Sequence, residues 1–287
     1  MSLLSKLKKF PRLYFLLRGL KRVFREALKP NHAPRFIGWY GMTLYTEPPW
    51  KETSNKIDSL EHNFLLVDKR LKKSVKDKSF RLIQFEKYNK DIQDILSELT
   101  WRHFIVFWSS QYAALNTKSL TKGLVEVGVA DGLTLHYAIN ALVSINNSYK
   151  AYLYDTWGSV ELINPGTKGA SNQYEYLEIE TTKENLKEFL ENLVFKKGLV
   201  PETFSGKNEP ESISWLHIDL NSSPPTLDTL NYYWSRLEPG GIVLFDDYAQ
   251  PAYIDTKIVV DDWLKNRKDG VILQMPTSQA IIFKTKQ

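Results

Sequence analysis

The clearest pattern begins at Gly123, where short apolar runs alternate with amphipathic stretches. LVEVGV is β-branched and ends in a glycine turn, and Leu133 to Val143 follows with helical character. AYLYD reads as a strand, Glu184 to Leu190 as a helix, and LVFKKG and SWLHIDL as strands. Pro225 to Leu237 reads as a helix, GIVLFDDY as a strand and Ile258 to Asn266 as a helix. VILQM and AIIFKTK close the chain as two strands joined by a short turn. Uninterrupted apolar strands are buried on both faces, and their alternation with helices predicts an α/β fold. The expected architecture is a Rossmann-like, doubly wound, mostly parallel seven-stranded sheet with an antiparallel edge strand and an N-terminal helical extension.

Upstream the texture differs. Residues 30 to 60 are rich in turn formers, among them Pro30, Pro34, Gly38, Gly41, Pro48 and Pro49. Ile92, Ile95, Leu96 and Leu99 share one helical face, and Phe104, Phe107, Trp108 and Tyr112 another. Three regions are therefore expected. They are a basic amphipathic helix over 1–30, a helical or irregular cap or lid over 31–118, and the Rossmann-like domain over 119–287.

Charge adds a second division. The net charge is +5, yet residues 1–29 alone hold nine Lys/Arg against Glu26, leaving the body mildly acidic. Leu13, Leu16, Leu17, Leu20, Phe24 and Leu28 recur at helical spacing among those cations. Such a helix can lie on an anionic membrane surface, or pack on the domain or a neighbouring subunit. The expected partners are a small-molecule or glycan hydroxyl substrate, a membrane surface through residues 1–29, and a second copy of the chain. Nucleic acid is not expected, since the basic stretch has no companion patch in the body. The expected location is cytoplasmic, at the inner face of the membrane. With no cysteine, thiolate metal sites and cysteine nucleophiles are excluded, and no apolar run approaches the ~20 residues of a membrane span.

The candidate chemistry sits where strands end, because open α/β sheets bind ligands beyond the carboxyl ends of their strands. The first strand leads into Glu126-Val-Gly128-Val-Ala-Asp131-Gly132, which is not the dinucleotide fingerprint G-x-G-x-x-G. Its acids would repel a pyrophosphate and suit a cationic or amino-bearing ligand. Asp155 ends AYLYD and could accept from ribose hydroxyls. Asp219 ends WLHID, and Asp246 and Asp247 end GIVLFDD. Three carboxylates converging on one mouth form an oxygen-only donor set suited to Mg²⁺.

Several linked segments resemble the class I S-adenosylmethionine-dependent methyltransferases, and within them the macrocin O-methyltransferase (TylF-type) family. VEVGVADG resembles its first motif, YDTWGSVE its YDSFEG segment and KKGLVPETF its KGWFxDTL stretch. HIDLNSS resembles RLDGDLY, and LEPGGIVLFDDYAQP resembles LSPGGYVIVDDYG. The resemblance spans roughly Gly123 to Gln274. It implies that Glu126, Gly128 and Gly132 line the methionine part of S-adenosylmethionine and Asp155 its ribose, with Asp131, Thr134 and Gly198 as further cofactor contacts. It implies Asp219, Asp246 and Asp247 as magnesium ligands. Asp219 is the candidate base, and His217, two residues earlier on the same strand face, is a second catalytic candidate. Trp157, Tyr248 and Tyr253 flank the expected mouth and could stack on a sugar. Asn221 replaces the family's second acid and Leu220 its glycine. The expected activity is Mg²⁺-dependent O-methylation of a sugar hydroxyl, on a glycosylated natural product or a cell-surface glycan precursor. An NAD(P)-type oxidoreductase and a non-catalytic, degenerate methyltransferase module remain as alternatives.

Overall fold

The computed structural model describes residues 75, 78–80, 100–158, 177–205, 208–275 and 277–285. The basic helix over 1–30 and the helical face at Ile92 to Leu99 lie outside these residues.

The strands are β1 (Thr121–Val127), β2 (Ser148–Asp155), β3 (Leu193–Lys197), β4 (Ile213–Ile218), β5 (Leu237–Phe245), β6 (Gly270–Gln274) and β7 (Ala280–Lys284). They form one sheet in the order β3-β2-β1-β4-β5-β7-β6. β1 to β5 run parallel, and β7 pairs antiparallel with both β5 and β6. The antiparallel element thus enters at the β5 side of the sheet, as the inner member of the closing pair. Strand order reverses between β1 and β4, where a crevice opens at the carboxyl ends.

β4 is buried along its whole length, and β1 at all but its first residue. Successive side chains serve two separate cores. Leu124, Leu153, Trp215 and Leu244 pack with Leu135, Val106 and Phe107 on one side. Val125, Tyr154, Leu216 and Val243 pack with Leu230, Tyr233 and Val260 on the other. Helices α1 (Thr100–Asn116) and α2 (Leu133–Val143) cover the first face. Helices α4 (Ser223–Tyr233) and α5 (Ile254–Leu264) cover the second. α1 belongs to the stretch expected as a cap, yet it packs on the sheet. Trp215 Nε1 donates to Ser109 Oγ on it at 3.0 Å.

Element ends differ from expectation at three helices. α3 runs over Ile179–Asn185, earlier than the expected Glu184 start, and a 3-10 turn at Lys187–Asn192 follows. α4 starts at Ser223 with proline in its first turn, where the missing N–H costs nothing, and stops four residues short of Leu237. α5 starts at Ile254 rather than Ile258.

One buried histidine makes the fold sensitive to acid. His136 is 1 % exposed, and its ring meets Phe80 and Phe189 at centroid distances of 5.8 and 5.6 Å. Burial, reinforced by nearby Lys78, pulls its pKa from 6.5 down to about 4. The unfolded chain therefore binds the extra proton first. The contribution is complete above pH 6.5, fades as pH falls, and is gone below about pH 4. At about 1.4 kcal/mol per unit, roughly 3 kcal/mol is lost across that window. Urea unfolding at pH 7 and pH 4.5 should show a smaller acid loss for His136→Gln than for the wild type. Equal losses would remove His136 as the cause.

Candidate active site

The site is built at the β1 end. Beyond Val127 the chain turns at Gly128, whose φ is +88° and whose N–H donates to Tyr154 O at 2.9 Å. A Cβ at Gly128 would lie 1.9 Å from the main-chain oxygen of Asp219, so only glycine lets the turn cross the end of β4. Gly132, φ +89°, opens α2, and a Cβ there would lie 2.8 Å from Leu186 Cδ1. Asp131 sits between them, 9 % exposed, its carboxylate facing the N–H of Leu133 at 3.4 Å. Thr134 is half-buried in the first turn of α2.

Asp155 ties this turn to the end of β2. Its Oδ2 accepts from Ala130 N and its Oδ1 from Trp157 N, both at 2.8 Å. Burial pushes this carboxyl up while those N–H groups pull it down. Gly198 lies just past β3, and its N–H donates to Asp155 O at 2.9 Å. The loops after β1, β2 and β3 are thus linked around one opening.

The carboxylates gather beside it. Asp219 follows β4, Asp246 and Asp247 follow β5, and one oxygen of each lies within 4.8 Å of the others. Arg102, from the buried side of α1, reaches into this cluster. Its guanidinium pairs with the Asp246 carboxylate, donates to Asp246 O and Thr277 O at 2.9 Å each, and stands 3.5 Å from Asp247. Gln279 Nε2 donates to Asp246 Oδ1 at 3.0 Å. Burial works against Asp246's charge, but Arg102 and His217 outweigh it and hold the carboxyl well below its usual range. Asp219 goes the other way: burial, then Asp246 and Asp247, raise it far above the usual range. Burial and Asp246 also push Asp247 up, to about 6.

His217 is fully buried, stacked on Trp215 with ring planes 18° apart. Its Nδ1 lies 2.9 Å from Glu126 Oε1 and its Nε2 3.9 Å from Asp246 Oδ1. Burial pulls its pKa down, but the two carboxylates more than offset this and push it up to about 10. This corrects the expectation of His217 as a catalytic base: with none of its surface exposed, the ring cannot reach an acceptor. It holds Glu126, whose own carboxyl burial pushes up and whose Oε2 is buried with no hydrogen-bond partner among the described residues.

The expected aromatic rim is corrected as well. Trp157 and Tyr248 are 3 % and 1 % exposed. Trp157 Nε1 donates to Thr182 Oγ1 at 2.9 Å, and Lys257 Nζ donates to the Tyr248 hydroxyl at 2.9 Å, so neither ring is free to stack on a sugar. Tyr253 is half-buried, and its hydroxyl feels the charges of Asp247 and Asp219. Asn221 takes a left-handed φ of +51°, which asparagine tolerates better than most residues. Sequence reasoning missed Arg102 and Gln279. A lone arginine in the mostly apolar helix TWRHFIVFWSS was the available signal for Arg102.

Four carboxylates, Glu126 and Asp247 buried and Asp219 and Asp246 half-buried, face two cations, Arg102 and His217. Two formal negative charges are left over, and a divalent cation on three hard oxygen donors would balance them; the donor set fits Mg²⁺.

The segment that builds this opening also matches a known family. Residues 125–248 match the family model described as a methyltransferase domain. Over that segment the chain resembles a methyltransferase domain. Among solved structures, the fold is similar to that of the O-methyltransferase NovP, with 16% identity, a TM-score of 0.58, and coverage of 78% of this chain and 98% of that one. It is also similar to the calicheamicin methyltransferase CalS11, with 16% identity, a TM-score of 0.50, and coverage of 79% and 93%. At this identity the likeness concerns the fold. A comparison with curated proteins gave no match. No helix among the described residues is long and apolar enough to cross a membrane.

Proposed function

We propose that the methyltransferase domain transfers a methyl group from S-adenosylmethionine to a sugar hydroxyl, with Mg²⁺ at Asp219, Asp246 and Asp247, in the manner of the macrocin O-methyltransferase type. The observation that carries this reading is the carboxylate cluster beside the Gly128–Gly132 turn. The O-methyltransferase NovP and the methyltransferase CalS11, similar in fold, support the reaction class. The acceptor class rests on the sequence resemblance and on hydroxyl chemistry.

The donor supplies an activated methyl sulfonium, and the bound metal would supply charge that acidifies a hydroxyl. The chain's own tasks are then alignment, exclusion of water and proton removal. Gly128 and Gly132 let the backbone approach the donor, Asp155 faces its ribose, and Glu126, enclosed behind the turn, pairs with His217. Asp219 takes the acceptor proton as the C–O bond forms and the C–S bond breaks. Residues 1–29 would bring the enzyme to an anionic membrane surface, which favours a glycan precursor as acceptor.

Transfer of labelled methyl from S-adenosylmethionine to a panel of glycosides and nucleotide sugars, with Mg²⁺ or with EDTA, tests the proposal. Labelled product with Mg²⁺, suppressed by EDTA, is expected. Product formed equally well in EDTA would remove the metal from the mechanism.

A further inference from the structure

The Gly128–Gly132 turn is gripped from behind by α3. Thr182 and Asn185 stand three residues apart on one helical face and are 0 % and 1 % exposed. Thr182 Oγ1 donates to Ala130 O at 2.8 Å, and Asn185 Nδ2 donates to Asp131 O at 3.0 Å. Two successive carbonyls of the turn are thereby fixed by two buried polar side chains. Nothing in the sequence resemblance assigns either residue a role.

Asn185 has a second set of bonds. Its Oδ1 accepts from Ser79 N at 2.9 Å, and its main-chain oxygen accepts from Lys78 Nζ at 2.6 Å. Lys78 Nζ also bonds Glu188, one turn further on, at 2.7 Å. Val75 and Phe80 flank this contact and are fully buried in the same core as Leu133 and Leu186. One side-chain amide therefore joins a segment some fifty residues before the turn, residues 78–80, to the turn itself.

We infer that Asn185 is a positioning residue for the donor turn, and that docking of residues 78–80 and binding of the donor are coupled through it. The coupling rests on the proposed methyl-donor reading; the mechanical link between the two segments does not. An amide suits this post, because it donates to one carbonyl and accepts from one N–H at once. Any ligand that stiffens the turn must also stiffen residues 78–80, since linkage is reciprocal.

Amide hydrogen exchange on the full chain, with and without S-adenosylhomocysteine, tests the inference. Asn185→Ala is expected to speed exchange at both 78–80 and 128–133, and to weaken S-adenosylhomocysteine about tenfold, as loss of one buried hydrogen bond would. Asn185→Asp keeps the acceptor for Ser79 N but loses the donor for Asp131 O, so it should loosen the turn more than residues 78–80. Lys78→Met touches no atom of the turn, yet should speed exchange at 128–133. In the wild type, the ligand should slow exchange at 78–80. Unchanged exchange at 128–133 in Lys78→Met would overturn the link, whether or not Asn185→Ala folds. Normal ligand binding with no slowing at 78–80 would overturn the coupling. Failure of the wild type to bind the ligand would instead count against the methyl-donor reading, and the exchange of the variants would still decide the link.

Discussion

Asp219→Asn is expected to lower methyl transfer by about a thousandfold while changing S-adenosylhomocysteine affinity by no more than a few-fold. Loss of a general base alone costs about 10²–10⁴ in rate. Asp219 lies at the centre of the argument because it combines two properties. Its oxygen belongs to the three-carboxylate cluster, and burial beside Asp246 and Asp247 raises its carboxyl well above the usual range. The substitution is nearly isosteric and leaves the main-chain oxygen that faces Gly128 in place. Donor binding should therefore survive. Initial rates with a saturating donor separate the outcomes. A variant within tenfold of the wild type would remove Asp219 as base, and a variant that no longer binds the donor would make its role structural.

Arg102→Met is expected to cost about 3–5 kcal/mol of stability in EDTA, the usual penalty for stranding one partner of a buried ion pair. The guanidinium bonds Asp246 and Thr277 and stands beside Asp247, with only 9 % of Arg102 exposed. Among the described residues, removing it leaves the carboxylates with His217 as their one nearby cation. Mg²⁺ should then restore part of the loss, since a divalent cation bound to the folded chain alone stabilises it by mass action. Arg102→Lys should fall between the two, because an ammonium keeps the charge but loses the planar fork. Urea unfolding with EDTA and with Mg²⁺ measures all three. A loss below about 1 kcal/mol, or no recovery with Mg²⁺, would contradict the charge balance described above.

Much of the framework is legible in the sequence because the central strands are buried on both faces. LVEV, SWLHI and IVLF are apolar runs for that reason, and the acids that end them stand out. The antiparallel closing pair is also readable, although only backbone pairing places β7 inside β6. α3 is less legible, since its buried face carries Thr182 and Asn185, polar residues spent on the carbonyls of a distant turn. An apolar pattern cannot reveal such a face. Arg102 escaped for a related reason: its partners lie more than 140 residues away in sequence, and only the packing of α1 on the sheet brings them together. His217 stands on a strand face like a candidate base, whereas its enclosure between Glu126 and Asp246 gives it structural partners.

On the proposed reading, the mouth formed by the Gly128 turn, Asp155 and the three aspartates holds a methyl donor beside a divalent cation. Isothermal titration calorimetry of S-adenosylhomocysteine and Mg²⁺, on the wild type and on Asp246→Asn, tests it most directly. Micromolar donor-product binding is expected in both proteins, with Mg²⁺ binding lost or strongly weakened in Asp246→Asn. Absence of S-adenosylhomocysteine binding to the wild type, with and without Mg²⁺, would contradict it.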